Sequence, residues 1–154
     1  WPCPWPRIGC TVELEKSVTG AEWIGLGPGE SYVDSQAAVR VGCWSASVEE
    51  LQTPYVMPQE NGRRSGIRRL IVTGDGSLVI EAESDLGFTL RRWTDKDLTE
   101  AKHTTGLKPR DKVWLNLDLV QHGLGSGSCG PEPWEPHRLH PRDFRLAFRI
   151  GVLG

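Results

Sequence analysis

Apolar and polar residues alternate along short runs for much of this chain, and turn residues break each run before it grows long. Ile8–Glu15 reads IGCTVELE. Val113, Leu115, Leu117 and Leu119 alternate with Trp114, Asn116 and Asp118, and Phe88 and Leu90 with Thr89 and Arg91. A period of two puts successive side chains on opposite faces of a strand, so these segments predict half-buried strands rather than helices. Ala21–Leu26, Ile67–Val72, Ser77–Ala82 and Phe144–Ile150 extend the pattern, as does Val39–Ser47, with Val39, Val41 and Cys43 on one face and Arg40, Gly42 and Trp44 on the other. Thr73–Gly76 predicts a hairpin turn and Glu83–Asp85 a second, making Ile67–Trp93 a meander. Val48–Leu51 reads as a single helical turn. Thr94 supplies an N-cap for a short helix over Asp95–Ala101, the only helix expected. Roughly ten short strands with so little helix predict an all-β antiparallel sandwich. Residues 1–154 read as a single domain, with Trp1–Arg7 a proline-rich, irregular lead-in.

Composition narrows the function classes. The chain has 154 residues, 38% of them hydrophobic and 25% charged, as in soluble globular domains with a sizeable core. A formal charge of -2 gives no electrostatic case for nucleic acid or membrane. The run Arg63-Arg64-Ser65-Gly66-Ile67-Arg68-Arg69 lacks interleaved aromatics, and it is expected to pair with carboxylates such as Glu60 or Glu81. No apolar run nears the roughly 18 residues of a membrane span, and no basic start precedes an apolar stretch as in a signal peptide. Cys3, Cys10, Cys43 and Cys129 form no CxxC pair, which disfavours a zinc site and suggests free thiols in a reducing, cytoplasmic setting. Seven tryptophans suit either core packing or sugar stacking. The chain starts at Trp1 and reads as a piece of a longer polypeptide.

Two further stretches carry more information. Gly25–Asp34 reads GLGPGESYVD, too rich in glycine and proline for a helix or central strand. A phosphate-cradling loop is disfavoured, because no GK[ST] and no amphipathic helix follow. Thr53–Gly62 reads TPYVMPQENG. Pro54 and Pro58 push the residues before them out of the helical region, so the segment runs extended. It ends at Asn61-Gly62, a turn dipeptide whose residues tolerate positive φ.

Gly25–Asp34, Thr53–Gly62 and the block Trp114–Asp118 followed by Gly123–Pro131 together, in that order, resemble the C-terminal domain of the large β-galactosidases of glycoside hydrolase family 2. The resemblance runs from about Pro6 to Ile150. It implies the later part of a two-sheet supersandwich of the galactose-mutarotase-like kind. It also implies that the catalytic glutamates, with the magnesium and sodium of the full enzyme, belong to an upstream barrel domain on the same or a separate chain. The implied substrate is a terminal β-D-galactoside, and the full enzyme is implied to be a homo-oligomer. Half a sandwich would leave edges and apolar faces uncovered, so the isolated chain is expected to be marginally stable.

Candidate chemistry follows from the same residues. Retaining glycosidases need two carboxyls about 5–5.5 Å apart. Glu30, Asp34, Glu60, Asp118 and Glu132 form no pattern that identifies such a pair, and each reads equally as a turn carboxylate held by backbone N–H groups or arginines. No catalytic residue is assigned. The resemblance makes the loop around Ser128, Cys129 and Gly130 one wall of the sugar pocket, with Cys129 the wall itself and Trp134 a second candidate for stacking. A buried inert thiol and a tryptophan packed between Pro133 and Pro136 are the plainer readings. His122, His137 and His140 flank the loop, but His137-x-x-His140 is not helical, and no metal or other cofactor is assigned to this chain. A stand-alone carbohydrate-binding sandwich is the alternative; it requires tryptophans on one exposed sheet face.

Overall fold

A computed structural model describes residues 3–125 and 132–153. The strands are β1 (Arg7–Glu15), β2 (Gly20–Gly27), β3 (Arg40–Ser47), β4 (Arg69–Thr73), β5 (Ser77–Ala82), β6 (Gly87–Arg91), β7 (Lys112–Gln121) and β8 (Phe148–Leu153). They form two antiparallel sheets, ordered β1-β7-β6 and β3-β2-β4-β5-β8. The one α-helix among the described residues, α1 (Asp95–Glu100), starts at a capping box in which the Thr94 hydroxyl accepts from Asp97 N–H and the Asp97 carboxylate accepts from Thr94 N–H. No helix among the described residues is long and apolar enough to cross a membrane.

Between the sheets, Trp23, Leu70, Val72 and Ile80 meet Phe88, Leu90, Val113, Leu115 and Leu117. Trp23 and Phe88 pack edge to face at 5.6 Å. Val48 and Leu51, on the expected turn after β3, close one end of this core.

Two expectations need correction. The meander ends at β5: the next strand, β6, crosses to the other sheet and pairs with β7. The crossing lets Phe88 and Leu90 face the core from the opposite side. The final strand begins at Phe148, not Phe144, and runs to Leu153. On β3 the expected division of faces holds: Trp44, with Ala46, packs on the core, while Val41 and Cys43 face solvent. The Trp44 indole donates to the Gly25 carbonyl, a polar anchor that valine lacks.

β6 is buried along its whole length, although its alternation suggested one wet face. The Thr53–Gly62 loop explains this. It makes a polar layer over the β6 side of the three-stranded sheet's outer face, held by Arg7 and Arg91, while Gly9, Thr11, Glu13 and Glu15 of β1 stay exposed on that face. There Thr11, Asn116 and Thr89 form a hydrogen-bonded row across β1, β7 and β6.

On the other side, β8 lies at the edge of the five-stranded sheet. Val152 pairs with Leu78 and Ile150 with the fully buried Ile80, so Ile150 and Val152 share the core-side face. Both are nonetheless exposed. The three-stranded sheet therefore stops short of β8, and the outer edge of β1 has no strand beside it among the described residues.

Candidate functional site

Three segments far apart in sequence meet at one cleft of about 500 Å³, a size typical of small-molecule sites. The connection after β2 contributes Glu30, Tyr32, Asp34 and Ser35, and the Thr53–Gly62 loop contributes Tyr55 and Gln59. The chain after β7 adds Leu124, Gly125, Glu132, Pro133, Trp134 and His137. These are the stretches whose glycine, proline and polar content set them apart from the strands.

Glu30 organises the second wall. Its carboxylate accepts from the Thr53 hydroxyl (2.9 Å), Gly62 N–H (2.9 Å) and the Tyr55 phenol (2.5 Å). The loop is thus pinned at both ends by one side chain. Asn61 adds a second closure, its side-chain oxygen accepting from Thr53 N–H. Of the expected turn pair, only Gly62 takes a positive φ (80°); Asn61 uses its amide instead. Burial and the bond to Glu30 push the Tyr55 phenol up to about 12.

Beneath the loop lies a buried ion cluster. Glu60 accepts from Arg7 (2.6 Å), Arg91 (2.9 Å) and the Tyr32 phenol (3.0 Å). Asp118 contacts Arg63 at 3.2 Å and Arg7 at 3.5 Å, and its Oδ1 has no hydrogen-bond partner among the described residues. The two carboxyls separate accordingly. Burial works against ionising Glu60, but its close arginines hold it below its ordinary range. Burial pushes Asp118 up to about 6, because Arg7 and Arg63 pull on it from longer range. Asp118 lies between Gly9 and Gly87 on the neighbouring strands. A Cβ on Gly9 would strike the Asp118 carboxylate, and one on Gly87 the Arg63 guanidinium. Those glycines make the room the cluster occupies.

The basic run divides. Arg63 and Arg64 are buried, whereas Arg68 and Arg69 are exposed. Arg63 pairs with Asp118 rather than Glu60 or Glu81, and Arg64 donates to the carbonyls of Pro28, Leu51 and Gly62. Arg64 also stacks over Trp23 at 5.6 Å.

On the third wall, Gly125 N–H donates to Asp34 at 2.6 Å, and Gly123 N–H to the His137 carbonyl. Arg138 folds back onto the Pro133 carbonyl and Glu132, closing the short strap that carries Trp134. Trp134 is 77% exposed while lining the cleft, so it is not packed away between its prolines. Ser128, Cys129 and Gly130 lie outside the described residues. Their described neighbours Gly125 and Glu132 both line the cleft.

The histidines do not converge. His122 accepts from Leu139 N–H, His140 contacts Glu135, and His137 faces the cleft. No group of three or more His, Cys, Asp or Glu among the described residues is arranged to hold a metal ion. Cys3, Cys10 and Cys43 are free thiols. Other tryptophans make no common sheet face: Trp23 is core, Trp44 packs on the core, and Trp114 is covered by Arg110.

Chemically, the cleft offers aromatic surface from Tyr55 and Trp134 beside the carboxylates of Asp34 and Glu132. Aromatic faces beside carboxylate acceptors suit the C–H face and the hydroxyls of a neutral polyol. Glu30 already engages both its oxygens.

A family model described as β-galactosidase small chain matches residues 2–150. A β-galactosidase of Arthrobacter sp. (strain B7) is 40% identical over 157 residues, covering 97% of this chain and 16% of that protein. Those of Vibrio cholerae serotype O1 and Actinobacillus pleuropneumoniae are 39% and 34% identical, covering 90% and 94% of this chain and 12% and 14% of theirs. The chain thus spans no more than 16% of the length of these relatives.

Proposed function

The chain belongs to the β-galactosidase small-chain family, and from that membership we propose that it is a non-catalytic C-terminal domain of a retaining β-galactosidase. The enzyme hydrolyses terminal β-D-galactose residues, and this part steadies the assembly and supplies one side of the sugar pocket. The observation that carries the reading is the convergence of the three distinctive sequence blocks on one cleft. Trp134 and the Ser128–Gly130 loop form the sugar-facing wall, with Cys129 a shallow surface rather than a nucleophile. The catalytic glutamates, and the magnesium and sodium of the full enzyme, lie in the remaining polypeptide. The full enzyme is a cytoplasmic homo-oligomer. Two observations support a non-catalytic role. Glu30 is committed to holding the loop, and Glu60 and Asp118 are committed to the arginine cluster. Among the described residues the edge of β1 is unpaired and the core-side face of β8 is bare, which suits an upstream partner segment.

The test is hydrolysis of a chromogenic β-galactoside. The chain alone should be silent, and adding it to the Arthrobacter sp. enzyme lacking its matching portion should restore turnover. Turnover by the chain alone would sink the non-catalytic assignment. Failure to restore turnover would count against the domain role.

A further inference from the structure

The Thr53–Gly62 loop is rigid at its base and apolar at its tip. Glu30 and Asn61 tie down Thr53, Tyr55 and Gly62, and the Thr104 hydroxyl donates to the Tyr55 carbonyl. Pro54 and Pro58 restrict the backbone between. Yet Val56 is 87% and Met57 65% exposed. A braced loop showing two adjacent large apolar side chains to water has the form of a preorganised contact: little entropy remains to be lost when it is covered. Methionine is also enriched at protein interfaces.

We propose that the Val56–Met57 tip is a docking knob that inserts into an apolar socket in the rest of the β-galactosidase polypeptide, beside the cleft mouth. The proposal rests on the domain reading above. Its occupant follows from two observations. First, the chain spans 16% of the Arthrobacter sp. relative, so a large body of polypeptide lies outside these residues. Second, two side chains fall far below the roughly 800 Å² per partner that a stable free-standing interface needs. A tethered partner, held at high effective concentration, makes so small a contact sufficient. The position matters for function. Tyr55 precedes the tip and Gln59 follows it, and both line the cleft. The body that grips the knob therefore borders the cleft, and the knob sets the distance between the two walls.

Met57 is the only methionine of the chain and reports on its own burial through oxidation to the sulfoxide by added peroxide. The experiment compares its oxidation rate, by mass spectrometry, in this chain alone and in the Arthrobacter sp. β-galactosidase with its matching portion replaced by this chain. The expected result is a slowing of at least about tenfold in the full-length protein, reversed by Val56→Glu. An active full-length protein in which Met57 oxidises as fast as in the chain alone overturns the knob and leaves the domain reading standing. A full-length protein without β-galactosidase activity, and with Met57 unprotected, overturns both. Protection that grows with the concentration of the isolated chain assigns the tip to a second copy and overturns the proposal.

Discussion

Replacing Glu30 with alanine should destabilise the chain by about 3–4 kcal/mol. Its carboxylate accepts three hydrogen bonds, from the Thr53 hydroxyl, the Tyr55 phenol and Gly62 N–H. Bonds to an ionised acceptor contribute about 1.5–3 kcal/mol each, but the losses are unequal. Thr53 and Tyr55 are half-buried and recover water when Glu30 is gone. Gly62 is buried, so its N–H is left without a partner, at about 1–3 kcal/mol by itself. Glu30→Gln keeps an acceptor for Gly62 and Thr53 and should cost only about 1 kcal/mol. Urea unfolding followed by tryptophan fluorescence measures both variants. An independent readout comes from the phenols. Tyr55 is pushed up to about 12 by burial and by Glu30, so in Glu30→Ala its ultraviolet titration should move down toward the ordinary value. A Glu30→Ala chain that loses under about 1 kcal/mol, with the Tyr55 titration unmoved, would refute the claim that this carboxylate fastens the loop.

Arg91→Met should cost about 3–5 kcal/mol in the same unfolding assay, because Arg91 is fully buried and its loss leaves Glu60 with Arg7 as its one close cation; a neutral result would mean that the cluster does not depend on this arginine. Gly9→Ala should cost about 1–3 kcal/mol or more, since the new methyl meets the Leu117 carbonyl and Asp118; a melting temperature equal to that of the parent chain would show that β1 shifts freely there. Asp118 titrates at about 6 in the fold against an ordinary 3.8, so the fold favours its neutral form. Its contribution is therefore fully present below the ordinary value and is lost as pH rises through about 6, by up to about 3 kcal/mol. Asp118→Asn should flatten stability between about pH 4 and 6 relative to the parent, as read from urea midpoints; an unchanged slope would assign that window to another group.

The strands were legible because each sheet's inner face is plainly apolar. β1 and β7 announce themselves by alternation, and α1 by Thr94 and the acidic first turn. Arginine was the blind spot. Arg63 and Arg64 were expected to pair with carboxylates, and Arg91 to lie on the polar side of its strand, but nothing in their pattern showed that all three are buried, where Asp118, Glu60 and nearby carbonyls pair with them. The clue was Gly9 and Gly87. It could be read only once the register had set them on either side of Asp118. The site was half legible: the Gly25–Asp34 and Thr53–Gly62 blocks stood out, but that Glu30 joins them is a tertiary fact without a local pattern.

The loop is also the reason the three-stranded sheet can be so thin. A three-stranded sheet with one wet face would bury little; here one face meets the apolar core, and the loop and its ion cluster cover the β6 side of the other, while Thr11, Glu13 and Glu15 of β1 stay exposed. The same segment is a wall of the cleft. Stability and site are therefore joined through one element. Substitutions between the sheets, as at Leu70 or Val72, loosen the sandwich while leaving the cleft wall tied to Glu30. Substitutions at Glu60, Arg91 or Asp118 act on the sheet and on the underside of the cleft together. That coupling gives the buried charges a role that apolar packing alone would not fill. Arginines reaching Glu60 from β1 and β6 fix where the loop lies on the sheet, and an apolar layer would let it slide.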